Sequence, residues 1–166
     1  FEGRCDDLKG FTYGVANNKG GVAYTRTTEE IARYIGEKHT VTATYIRTAV
    51  LTLNVPAPPR PTAPIAIGTP PVVDPVDQET FKEKIRMYVK TKARIETAMK
   101  SLYDLIWGQC SESLRSRLRG YDDFHAYSVK ADSMALLKSI GATGFRNKMY
   151  LTHALHKTMK DFYSLG

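Results

Sequence analysis

"FKEKIRMYVKTKARIETAMKSLYDLIWGQCSESLRSRL", residues 81–118, decides the fold class of this chain. Phe81, Ile85, Tyr88, Lys92, Ile95, Met99, Leu102 and Ile106 follow one another at alternating steps of four and three, and only Lys92 is neither apolar nor aromatic. Such a repeat is one face of an α-helix of about 28 residues, roughly 40 Å long. Asp77 is placed to cap its start. Lys82, Lys84, Arg86, Lys90, Arg94 and Lys100 occupy the remaining faces. The pattern breaks at Trp107, Gly108, Gln109 and Cys110, where Trp107 is the only tryptophan of the chain. Gly108 offers the backbone freedom at which a helix can end. Ser111 can cap a second helix that buries Leu114 and Leu118 and stops at Gly120. The corner then reads as a helix end, with Trp107 buried in the joint and Cys110 a small packed residue.

Three further helical patterns follow. "YDDFHAYSV" (121–129) places Tyr121, Phe124 and Tyr127 at helical spacing. "DSMALLKSIG" (132–141) has a cap at Asp132 or Ser133, an inner side of Met134, Leu137 and Ile140, and a stop at Gly141. From Phe145 a last helix carries Leu151, Leu155, Met159 and Phe162. Capped amphipathic helices joined by short connections imply an all-α fold, here a bundle of about five helices over residues 78–166.

Upstream lies "NVPAPPRPTAPIAIGTPPVVDPVD", residues 54–77, which contains all eight prolines. Proline removes backbone donors and holds its predecessor extended, so the segment reads as a semi-rigid polyproline-II linker. Before it, residues 1–53 form a small, mostly helical N-terminal segment. Thr27 and Glu30 have capping-box spacing at the head of a helix with Ile31, Tyr34 and Ile35 as its stripe. Ile46, Ala49, Val50 and Leu53 also fall at helical spacing, although β-branched residues leave a strand open. The Gly- and Asn-rich opening reads as loop with one short extended piece at 11–15.

Charge divides the chain unevenly. Residues 1–77 carry 8 Lys/Arg and 8 Asp/Glu, whereas residues 78–166 carry 16 against 9, the whole of the net +7. A basic half points toward a polyanion, and nucleic acid is the usual one. No apolar run approaches the ~20 residues of a membrane span, so no membrane partner is expected. Two cysteines, Cys5 and Cys110, suit a reducing intracellular setting. The opening Phe and the closing "DFYSLG" suggest a piece of a longer reading frame.

Candidate chemistry is thin. Cys110, His125 and Asp122 or Asp123 could be written as a nucleophile, base and orienting acid, but none of the familiar flanking patterns surrounds them. His153 and His156 stand three apart, without the spacing or the intervening Glu of a zinc helix. No catalytic residue, metal, cofactor or small-molecule substrate is therefore expected. The candidate nucleic-acid contacts are Lys82, Arg86, Lys90 and Arg94 on the long helix, Arg115 and Arg119 on the next, and Arg146 and Lys148 at the start of the last. The candidate structural motif is Trp107, Gly108, Cys110, Leu114, Leu118 and Leu137.

"LYDLIWGQCSESLRSRL" (102–118) followed by "YDDFHAYSVKADSMALLKSI" (121–140) resembles the Gag-like polyprotein of copia-type LTR retrotransposons. The opening "FEGRCDDLKGFTYGV" and "TTEEIARYIGEKH" with the Pro-bearing linker are similar to the same proteins. In that family an apolar-Trp-Gly helix end precedes a short Leu-containing helix and then a Trp/Leu-rich one. Here Met134-Ala135-Leu136-Leu137 stands at the last of these. The zinc knuckle and aspartic protease often found further along such polyproteins have no matching motif in this chain. The resemblance implies a non-enzymatic capsid-type protein. It would self-associate into a cytoplasmic particle and package RNA without sequence preference. A basic helical nucleic-acid-binding module unconnected with capsids is the alternative, and salt dependence separates the two.

Overall fold

The computed structural model describes residues 1–15 and 20–143, and these form an all-α fold. The helices are α1 (Gly20–Lys38), α2 (Ala43–Thr52), α3 (Pro75–Gln109), α4 (Glu112–Arg119), α5 (Phe124–Lys130) and α6 (residues 133–143). Short 3-10 turns cover Asp6–Leu8 and Thr40–Thr42. The last helix expected from the sequence, with Arg146, Lys148, His153 and His156, lies outside the described residues.

One apolar core joins both sides of the Pro-rich segment. Leu8 and Tyr13 of the N-terminal stretch, Ile31 and Ile35 of α1, and Ile46 and Val50 of α2 pack in the same cluster as Leu102 and Ile106 of α3. Leu114 and Leu118 of α4, Tyr127 of α5, and Leu136 and Leu137 of α6 complete it. Burying a leucine or isoleucine side chain contributes ~1.5–3 kcal/mol, so apolar burial dominates this joint.

α1 begins at Gly20, seven residues before the expected start. Thr27 is not a cap but lies mid-helix on the inner stripe, and it and Thr28 are buried. Their hydroxyls are satisfied from the N-terminal stretch: Thr27 Oγ1 donates to the Thr12 carbonyl at 3.3 Å, and Thr28 Oγ1 pairs with the Tyr13 hydroxyl at 2.9 Å. Two threonines on the inner stripe hide its amphipathic pattern, because a buried hydroxyl needs a partner that only the tertiary fold supplies. α2 is a helix that buries Ile46, Ala49 and Val50 of the helically spaced set, while Leu53 follows it as a left-handed C-cap (φ 54°).

The Pro-rich segment has no regular structure from residue 55 to 66. Pro58 is buried and Pro61 and Pro64 are half-buried. Their spacing of three matches the polyproline-II turn, so one face of the extended segment is covered. Ile67 and Val72 then exchange two backbone hydrogen bonds, at 3.0 and 3.1 Å, just ahead of α3.

Asp74, not Asp77, caps α3: its carboxylate accepts from the Val76 N–H at 2.7 Å, and Pro75 fills the first helical position. The helix runs 35 residues, about 52 Å. Ser111 caps α4 as expected, accepting from the Leu114 N–H at 3.3 Å. Asp132 caps α6, accepting from the Ala135 N–H at 3.1 Å. Gly141 does not stop α6, which continues to 143, and the Tyr24 ring lies over it. Tyr24 also donates to the Leu137 carbonyl at 3.1 Å, tying α1 to α6.

Candidate nucleic-acid interface

The Trp-Gly-Gln-Cys corner is a joint. α3 continues through Gly108 to Gln109, and the chain turns at Cys110, which is extended (φ −77°, ψ 134°). Gly108 is thus a helical residue, and its role as the turning point is corrected. Cys110 bridges in parallel to Tyr13, whose N–H donates to the Gln109 carbonyl at 2.9 Å while its carbonyl accepts from Ser111 N–H at 2.9 Å. The Cys110 thiol is fully buried and donates to the Ile106 carbonyl at 3.3 Å. Burial pushes this thiol up to about 12, against a smaller lowering from Arg115. His125 is exposed on α5, so a buried, protonated thiol and a solvent-facing imidazole do not make a nucleophile–base pair.

Two polar residues hold the joint, and sequence reasoning assigned neither this role. Gln109 is fully buried with all four amide positions used. Its Oε1 accepts from the N–H groups of Arg4 (2.9 Å) and Cys5 (3.1 Å), and its Nε2 donates to the carbonyls of Leu8 (2.9 Å) and Phe11 (2.7 Å). Gly3 passes so close that a Cβ there would overlap this amide, and its φ of +93° is itself a glycine conformation.

Arg115 is 3% exposed, with Nε and Nη2 donating to the Trp107 carbonyl (3.1 and 2.9 Å) and Nη2 also to the Gly108 carbonyl (3.2 Å). It caps the C-terminal end of α3, where carbonyls lack helical partners and a cation meets the negative end of the dipole. Arg115 is therefore corrected from nucleic-acid contact to structural cap. Trp107 is half-buried rather than enclosed. Its ring packs on Phe124 at 5.5 Å between centroids, with the guanidinium groups of Arg115 and Arg119 at 5.6 and 5.4 Å. Leu114, Leu118 and Leu137 are wholly buried.

The remaining basic candidates separate by partner. Lys82, Arg86, Lys90 and Arg94 recur every four residues as one ridge of α3. Lys82 pairs with Glu79 at 3.5 Å and Arg86 with Glu83 at 3.1 Å, and Arg119 pairs with Glu112 at 3.1 Å. Among the described residues, Lys90 and Arg94 have no acidic partner. They instead line an open cleft of about 400 Å³ where α3 passes the turn between α1 and α2. Lys38, His39 and Thr40 form the facing wall, and no acidic residue lines it. Nearby Glu37 is held by Arg33 at 2.7 Å. The sequence offered Lys90 and Arg94 but not their meeting with Lys38 and His39, which stand more than fifty residues away in the chain.

Apolar surface accompanies this charge. From Pro75 to Arg94 no side chain of α3 is buried. Phe81, Ile85 and Tyr88 remain half-exposed, and Val76, Met87 and Val89 are open to solvent. Among the described residues no helix is long and apolar enough to cross a membrane. Comparison of the chain with protein-family models, with curated proteins and with solved structures finds no match.

Proposed function

We propose that this chain is a non-enzymatic Gag/capsid-type protein that self-associates and packages retrotransposon RNA in an intracellular particle. The observation that carries the reading is the first half of α3. Its apolar stripe stands at helical spacing, yet no residue of α3 before Ile95 is buried. A face of that kind is stabilised when a second helix covers it, and a second copy supplies an identical stripe. The resemblance of residues 102–140 to copia-type Gag supports the same assignment. RNA contact without base reading falls to Lys90 and Arg94, together with Lys38 across the cleft, because they face solvent without competing carboxylates.

The test is light-scattering mass against protein concentration, at low and high salt, with and without random single-stranded RNA. Growth to large species that persists in high salt is the expected result, since apolar contacts survive screening. A concentration-independent monomer that binds RNA with a steep salt dependence would favour the second reading, a basic helical nucleic-acid-binding module. The unpaired Lys90 and Arg94 are the observation on that side.

A further inference from the structure

We infer that the cleft between α3 and the α1–α2 turn is a discrete binding site for a compact oligophosphate. Three cations line it from two elements distant in sequence: Lys38 from the last turn of α1, its ammonium 5.3 Å from the centre of the Tyr34 ring, and Lys90 and Arg94 one helical turn apart on α3. Residues at i and i+4 share a helix face, so the two α3 cations present their charges side by side. Thr40 and His39 on the facing wall add an exposed hydroxyl and a half-buried imidazole. Thr97 extends the α3 face, but its hydroxyl is held by the Ala93 carbonyl at 3.0 Å, so it shapes the wall rather than donating to a ligand. The negative end of the α1 dipole opposes an anion, and Lys38 in that last turn offsets it.

The same ridge of α3 supplies its own contrast. Lys82 and Arg86 are exposed cations too, but each is answered by a glutamate one turn back. Only the half of the ridge that reaches the cleft lacks such partners. The volume of this open cleft, about 400 Å³, is large enough for a small ligand, whose sites ordinarily measure ~300–1,000 Å³. Several charges linked in one short chain match three cations spread over both walls of a cleft better than one phosphate does. The shared chemistry is a chain of linked phosphates, carried by a free nucleoside triphosphate or by the 5′-triphosphate end of an RNA. The inference rests on the cleft and not on self-association, and the two fail separately.

The experiment is calorimetric titration of the whole chain with inorganic tripolyphosphate at about 50 mM salt, where screening is modest. Saturable one-to-one binding is expected, weakened about tenfold or more in the Lys90→Gln/Arg94→Gln variant and less than about twofold in Lys82→Gln/Arg86→Gln. Both pairs are exposed, and a circular dichroism melt checks that each variant folds. Absence of saturable binding, or equal weakening in both variants, overturns the inference. Two further arms name the source. Adenosine triphosphate binding as tightly as tripolyphosphate supports a free nucleotide. Preference for an RNA with a 5′-triphosphate over the same RNA with a 5′-hydroxyl, abolished in Lys90→Gln/Arg94→Gln, supports an RNA end. Light-scattering mass recorded on the same samples reports assembly independently.

Discussion

Arg115 gives two of its nitrogens, Nε and Nη2, to a single acceptor, the carbonyl oxygen of Trp107, at 3.1 and 2.9 Å. The guanidinium reaches back eight residues to close the helix from which its own segment departs. It thereby fixes the angle between α3 and α4 through a charge-assisted contact in a nearly closed environment. Replacing Arg115 by Met keeps the aliphatic bulk but removes the charge-assisted bonds, leaving the Trp107 and Gly108 carbonyls only the backbone N–H groups of Cys110 (3.2 Å) and Arg4 (3.3 Å). The expected cost is about 1.5–3 kcal/mol in urea unfolding. Arg119→Met, which loses only a solvent-exposed pairing with Glu112 and part of a ring contact, should cost less than about 1 kcal/mol.

Gln109 should be the most sensitive polar position. Gln109→Leu strands the Cys5 N–H and the Phe11 carbonyl and leaves the Arg4 N–H and the Leu8 carbonyl one backbone partner each, at a cost of about 3 kcal/mol or more. Gln109→Glu has a pH signature. Its carboxylate would still accept from Arg4 and Cys5 but would face the carbonyls of Leu8 and Phe11. The folded state therefore raises the carboxyl's pKa, and stability recovers as pH falls and the group protonates. Unfolding curves between about pH 8 and 5 check this.

Glycines at three sites separate conformational need from mere presence. Gly3→Ala meets both a φ of +93° and the Gln109 amide, and should free the N-terminal stretch to limited proteolysis. Gly108 and Gly141 are helical, and a Cβ at either would find its nearest neighbours at 3.6 and 3.7 Å, ordinary contact. Gly108→Ala and Gly141→Ala should each be neutral or stabilising by up to about 1 kcal/mol, read from melting temperature.

Alkaline pH should weaken the fold through Cys110 and Tyr13. Burial raises the Cys110 thiol from its ordinary 9.0 to about 12 and raises the Tyr13 phenol well above its ordinary 10.0. The unfolded chain loses these protons first, so their contribution is intact below about pH 9 and is lost as pH rises toward 12. Urea midpoints at about pH 8 and pH 10.5 should fall more in the wild type than in Cys110→Ala. At pH 7 the native Cys110 should resist alkylation until denaturant is added.

Phe81→Glu combined with Ile85→Glu tests the exposed half of α3. Both positions are half-exposed, so the monomer should lose less than about 1 kcal/mol of stability. If the wild type associates as proposed, sedimentation velocity should show its larger species lost in the double variant. Unchanged association would move the contact to another face.

Much of the fold was legible in local pattern. Phe81 to Ile106 announced α3, Ser111 announced α4 and Asp132 announced α6, because helical periodicity and capping are interactions between near neighbours. The start of α1 was not legible. Thr27 and Thr28 read as polar positions until the Thr12 carbonyl and the Tyr13 hydroxyl arrive to satisfy them. The candidate site divides in the same way. Lys82, Arg86, Lys90 and Arg94 are visible in sequence as one ridge, but their standing is not.

By itself the sequence determined the helical class, the Pro-rich interruption, the placement of net positive charge in the second half and the caps of α4 and α6. These depend on residues within one or two helical turns. Tertiary structure alone decided that Arg115 caps a helix instead of meeting nucleic acid, that Gln109 clamps the N-terminal stretch, and that Lys90 and Arg94 meet Lys38 across a cleft. Each of these outcomes is a balance between solvation and a specific partner. The partners of Gln109 and of the cleft cations are brought by segments far along the chain. Arg115 finds its carbonyls only because α4 folds back on the end of α3.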